Sequence, residues 1–269
     1  MKISKFYIAF FVLLTAIMVA CSEYEDTVEP SPTVSADNAA VRFVAANQTI
    51  FELEVTDLSF DIELIRDNPS AALEIPLTVT DTGGVFTVPS TVSFPAGVDT
   101  VTITITMDET APKGETFGLG ISVDESFVNI YKSEFGTYFG EAAILNWVKF
   151  SDGTYESGLF EASWPQELYR AEGTNKYRFF DLYAEGYPLT FVWTGGKQLV
   201  PVTGKDADGY YLWVSGYIDA TYGMFSAHID ASSDWTYYNE ATNSFTINAK
   251  WTVDAGSFGW LDDFYTIAK

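Results

Sequence analysis

The chain has 269 residues, with 14 basic and 37 acidic side chains for a formal net charge of −23, and it carries 7 Trp, 16 Tyr, 21 Phe and 1 Cys. This acidity excludes nucleic acid, whose phosphates require clustered Lys and Arg, and it equally excludes docking on anionic lipid head groups. A single cysteine excludes disulfides, iron–sulfur clusters and thiolate metal sites, so stability must come from packing.

In chain order, Lys2 and Lys5 precede an almost unbroken apolar run over residues 6–20, which turns at once into acidic polar sequence. That is the layout of a secretory signal peptide, and the run is shorter than the roughly 20 apolar residues of a spanning helix. Ala20-Cys21 resembles the lipobox of bacterial lipoproteins, with Met18 where Leu is usual. The resemblance implies that residues 1–20 are removed and that Cys21 is acylated, making the membrane a partner through the N-terminal lipid. Glu23, Tyr24, Glu25 and Asp26 resemble the surface-export signal of Bacteroidetes lipoproteins, which implies the outer membrane and its extracellular side; a periplasmic face is the alternative. Residues 21–38 are rich in Glu, Asp, Ser, Thr and Pro and bury too little apolar surface to order themselves, so they are expected to form a semi-rigid tether.

Residues 39–131 alternate apolar and polar side chains with period two and show no helical periodicity. In the clearest run, Val101, Ile103, Ile105 and Met107 are expected to face a core and Thr100, Thr102, Thr104 and Thr106 to face water. Further strands are readable at 40–44, 58–65, 72–79, 91–94 and 117–123, separated by turns such as Asp81-Thr-Gly-Gly. The spacing predicts an immunoglobulin-like sandwich. Val92-Ser-Phe-Pro-Ala-Gly, the Thr-rich strand and Gly114-Glu-Thr-Phe-Gly-Leu-Gly-Ile together resemble the second half of a Calx-beta-type domain. The resemblance implies a possible calcium site, for which Asp108, Glu109, Glu115, Asp124 and Glu125 are the nearby acids. The chain departs from the family at Lys113-Gly114, where an acidic pair is expected.

After residues 132–149, read as a linker, the composition changes: no Trp or Tyr occurs over 41–130, whereas every Trp follows Asn146. Residues 150–269 continue the alternation, as at Leu189, Phe191 and Trp193, and predict a second antiparallel β domain, either a barrel or a two-sheet sandwich. Its opening Asp152-Gly-Thr-Tyr and its close, which includes Phe264-Tyr-Thr-Ile, resemble uncharacterised surface lipoproteins of gut Bacteroidetes. The whole is an all-β chain.

Aromatic faces stack on sugar C–H groups, while carboxylates and amides bond hydroxyls, so an aromatic-rich acidic β domain at a cell surface points to glycan binding. Trp164, Tyr169, Trp235, Tyr237, Tyr238 and Trp260, with Asn239, Glu240, Asp262 and Asp263, form the candidate platform because they fall outside the clean alternation, on loops or among polar residues. Phe191, Trp193, Trp213 and Trp251 are expected in the core. The lone His228 alternates with Phe225, Ala227 and Ile229 and is expected to point outward; it cannot build a multi-histidine metal site. Neither a Gly-x-Ser-x-Gly elbow nor a Gly-rich phosphate loop is present, so the chain reads as non-enzymatic, without nucleotide or other cofactor unless calcium. Two functions remain: binding glycan or polysaccharide, or acting as a structural, assembly or adhesion component that contacts a partner outer-membrane protein.

Overall fold

Period-two alternation of β-branched and aromatic residues produces a fold made of strands, relieved only by two short 3-10 segments among the described residues. The structure, a computed structural model, describes residues 38–268; the leader, Cys21 and the tether up to Asp37 lie outside them.

Nine strands come first: β1 (Val41–Phe43), β2 (Ile50–Glu54), β3 (Ser59–Arg66), β4 (Leu73–Asp81), β5 (Phe86–Thr87), β6 (Thr91–Phe94), β7 (Thr100–Met107), β8 (Thr116–Val123) and β9 (Thr137–Leu145). They form two sheets, ordered β1-β3-β7-β5 and β2-β9-β8-β4-β6. Between the sheets lies one hydrophobic cluster that includes Leu64, Ile75, Ile103, Ile105 and Ile121. This is the immunoglobulin-like sandwich that the spacing predicts. Along β7, Ile103, Ile105 and Met107 are buried and Thr102, Thr104 and Thr106 exposed, as the alternation requires. Arg66 is also buried, with its guanidinium donating to the carbonyls of Val98 (2.8 Å), Ala71 (2.6 Å) and Pro95 (2.7 Å). Hydrogen bonds rather than an acidic partner make this buried cation tolerable.

The stretch 132–149 is not a linker. A 3-10 segment covers Ile130–Gly136, β9 follows it, and only Asn146 separates β9 from the next strand. The sequence signal fails there because Ala142, Ala143, Ile144 and Leu145 are all buried: both faces of the strand end are covered, which erases the period of two.

The remaining strands are β10 (Trp147–Ser157), β11 (Ala162–Ala171), β12 (Lys176–Phe179), β13 (Leu189–Val192), β14 (Val200–Pro201), β15 (Tyr211–Asp219), β16 (Gly223–Ile229), β17 (Tyr237–Asn239), β18 (Ser244–Val253) and β19 (Gly256–Ile267). All belong to one antiparallel sheet of order β14-β13-β12-β11-β10-β19-β18-β16-β15, with β17 also on β18. The first and last strands pair, Gly153 opposite Ile267 and Glu156 opposite Phe264. At the other seam the chain beyond β14 reaches β15 through a Lys205–Tyr211 bridge and a Leu212 N–H donated to the Gly204 carbonyl at 2.9 Å. The sheet is therefore a nearly closed up-and-down barrel, which leaves few free edges. Its interior is filled with side chains, among them Tyr155, Phe179, Phe245, Trp251 and Tyr265.

Candidate ligand-binding site

Strand β18 pairs on one side with β16 over Ala249–Thr252 and with β17 over Ser244–Thr246. Between those two partners the chain leaves the sheet over residues 230–236, and Trp235 stands on this excursion. The excursion is pinned at both ends, because Asp230 N–H donates to the Asn248 carbonyl and Asn248 N–H donates to Thr236 Oγ1, each at 3.1 Å. Within it, Asp230 Oδ1 accepts from Ser232 N–H at 2.9 Å and the Ser232 carbonyl accepts from Trp235 N–H at 3.1 Å. The indole is left 56% exposed.

Trp260 comes from β19, where alternation sends Leu261, Asp263 and Tyr265 inward and Trp260 and Asp262 outward. Tyr210 ends a turn in which Asp206 Oδ1 accepts from the N–H groups of Asp208 and Tyr210, both at 2.9 Å, and Gly209 adopts φ +88°. The Tyr210 ring meets Trp260 edge-on with centroids 4.9 Å apart. Tyr210, Trp235 and Trp260 together with Asp230 and Asn248 line a hollow of about 330 Å³. Behind it, Asn248 Nδ2 donates to Asp262 Oδ1 at 2.7 Å, which fixes the amide.

Of the sequence-predicted platform, Trp235 and Trp260 are brought together here, while Asp262 stands behind on the Asn248 amide and lines a separate hollow with Glu156, Glu161 and Phe264. The rest are dispersed. Trp164 packs against Tyr155 and Tyr183 at centroid distances of 5.3 and 5.6 Å. Tyr169 bonds Glu167 and packs on Phe180 in a separate cleft of about 540 Å³, where the sandwich meets the barrel. Tyr238 packs on Trp193 and donates to Asn243, Tyr237 lies under Lys197, and Asn239 and Glu240 form the turn into β18. Asp263 must be withdrawn from the exposed set, since it is only 2% exposed and sits inside the barrel. Its Oδ2 accepts from the Tyr155 and Tyr183 hydroxyls and its Oδ1 from Gly158 N–H, all at 2.8 Å. Burial pushes its carboxyl up to about 6 even though these three donors pull the other way, and the same burial holds the Tyr155 and Tyr183 hydroxyls well above the usual phenol range.

Sequence reasoning missed Tyr210, Asp230 and Asn248. A signal existed for the first, because Tyr210 directly follows the Asp206-Ala-Asp-Gly turn. For Asp230 and Asn248 no local signal exists.

The five candidate calcium ligands do not converge. Glu115 precedes β8 and Asp124 follows it, which separates them by roughly 30 Å at about 3.3 Å per residue. Asp108 and Asp124 each accept from the backbone N–H and hydroxyl two residues on, at Thr110 and Ser126, and these bonds hold both carboxyls below the usual range. No group of three or more His, Cys, Asp or Glu among the described residues is placed to hold a metal ion.

No family model matches this chain, and no curated protein matches it in sequence. Among solved structures, a protein of unknown function from Bacteroides ovatus is similar at a TM-score of 0.34 and 9% identity, over 86% of this chain and 90% of that one. A multidomain protein including DUF1735, also from Bacteroides ovatus, gives 0.32 and 11%, over 84% and 92%. The calcium binding domain CBD12 of CALX1.1 gives 0.32 and 11%, over 51% and 78%.

Proposed function

We propose that this chain is a lipid-anchored cell-surface protein that binds glycan without transforming it, and that the hollow between Trp235 and Trp260 is its binding site. One observation carries the reading. Three aromatic side chains from separate stretches converge beside the Asn248 amide and the Asp230 carboxylate, in a hollow where both indoles remain substantially exposed, Trp260 at 42%. Folding alone favours burying such large apolar groups, so their presentation to solvent at a common hollow is better accounted for by a ligand. Flat rings suit the C–H faces of sugars, and Asp230 and Asn248 suit their hydroxyls.

The test is affinity electrophoresis of the mature chain in gels carrying polysaccharide. Trp235→Ala and Trp260→Ala are each expected to weaken retention at least about tenfold, equivalent to ~1.4 kcal/mol. Both side chains are exposed, so circular dichroism should stay unchanged. Retention indifferent to both substitutions would remove the hollow from consideration.

The sandwich favours a second reading, an assembly component that docks on a partner outer-membrane protein. On its outer face Phe139 is 72% and Ile50 65% exposed, beside Gly118, Gly120 and Gly140 in a groove of about 530 Å³. Co-purification of an outer-membrane protein, lost in Phe139→Ser, together with no retention on any glycan, would favour it.

A further inference from the structure

The charge around the hollow narrows the ligand further, an argument that rests on the glycan reading above. None of the five lining side chains is cationic. Asp230, the one acid in the lining, uses Oδ1 for Ser232 N–H and so keeps a second carboxylate oxygen beyond that bond. Among the described residues Asp230 has no ion-pair partner. Lys197, between β13 and β14, pairs with Asp234 of the excursion at 3.5 Å and lies 5.2 Å from the Tyr237 ring centre. Lys250 stands opposite Trp260 in the strand register but does not line the hollow.

From this arrangement we infer that the hollow takes an uncharged, hydroxyl-rich sugar and rejects glycans bearing uronate, sulfate or phosphate. A hydroxyl both donates and accepts, so it can give its hydrogen to Asp230 and take the remaining N–H of Asn248. An anionic substituent can only accept, and here it would meet the Asp230 carboxylate, which no ion pair neutralises. A volume of about 330 Å³ lies at the small end of ligand pockets, which suits one or two sugar rings.

The test compares matched polymers: hydroxyethylcellulose against carboxymethylcellulose, dextran against dextran sulfate, and a panel of neutral plant and mucin glycans against polygalacturonate. A chain of net charge −23 repels polyanions at long range, so the gels are run in 1 M NaCl, where the screening length is about 3 Å and only short-range charge still acts. Trp235-dependent retention is expected on neutral members alone. Asp230→Asn should raise retention of the anionic member relative to its neutral counterpart at least about tenfold. Trp235-dependent retention of an anionic polymer at least as strong as that of its neutral counterpart overturns the inference and leaves the glycan reading standing. Retention by no glycan, or retention indifferent to Trp235→Ala, overturns both.

Discussion

Asp263 shows most plainly what one residue can do against its surroundings. A carboxyl inside an aromatic barrel loses water, and its folded-state value rises to about 6 from an ordinary 3.8. The folded state thus holds this proton more tightly than the unfolded chain, so the stability contributed by the neutral form is present at low pH and lost as pH rises through about 6. The shift corresponds to about 3 kcal/mol. Carboxyls held low, such as Asp67 beside Arg42, push stability the opposite way with pH. Only a difference isolates the buried group. Denaturant unfolding of the wild type and of Asp263→Asn should show their stability gap shifting by about 2 kcal/mol in favour of the variant between pH 4 and pH 7, the rest of the shift lying below pH 4. A gap that stays constant across that range would mean the carboxyl remains charged throughout. The adjacent pair Asp262-Asp263 also shows how far alternation reaches: neighbours in a strand point to opposite faces, so one acid belongs to the surface and the other to the interior.

At the scale of elements, the turn Asp206–Tyr210 determines where one wall of the hollow stands. Asp206 Oδ1 holds the turn, and its Oδ2 meets His228 Nδ1 at 2.5 Å, while His228 Nε2 lies 3.0 Å from Thr252 Oγ1. His228 bonding holds the Asp206 carboxyl below its usual range, since it favours the charged form. The histidine does point outward, as its place between Ala227 and Ile229 requires, and it acts as a staple across β16 and β18. Asp206→Ala removes that clamp, so Tyr210 should lose its fixed position against Trp260. Retention on neutral glycan is expected to fall toward that of Trp260→Ala while far-UV circular dichroism is unchanged; full retention would show that Tyr210 takes no part. The turn itself is legible as Asp-Ala-Asp-Gly, but its partner His228 is not, because the two are joined by barrel closure rather than by sequence. Strand β7 was legible throughout, since one face is buried and the other wet. Strand β9 was not, since its end is covered on both sides.

For the whole molecule, acidity bears on the proposed anchor: a net charge of −23 disfavours association with anionic lipid, so residence at a membrane would require an attached lipid. Each buried methylene contributes about 0.8 kcal/mol, and one acyl chain holds only marginally, so several are needed. Cys21→Ser should move the protein from the membrane fraction to the soluble fraction and abolish incorporation of labelled palmitate; a membrane-bound variant would refute acylation as the anchor. By itself the sequence determined an acidic, strand-built chain whose aromatics crowd into its second half, because composition and side-chain alternation are local properties. Only the tertiary structure decided that the second half is a nearly closed barrel, that Asp263 turns inward, and that residues 210, 230, 235, 248 and 260 share one hollow. These depend on which strands pair around the ring, above all on the closing pairing of β10 with β19, which joins stretches far apart in the chain.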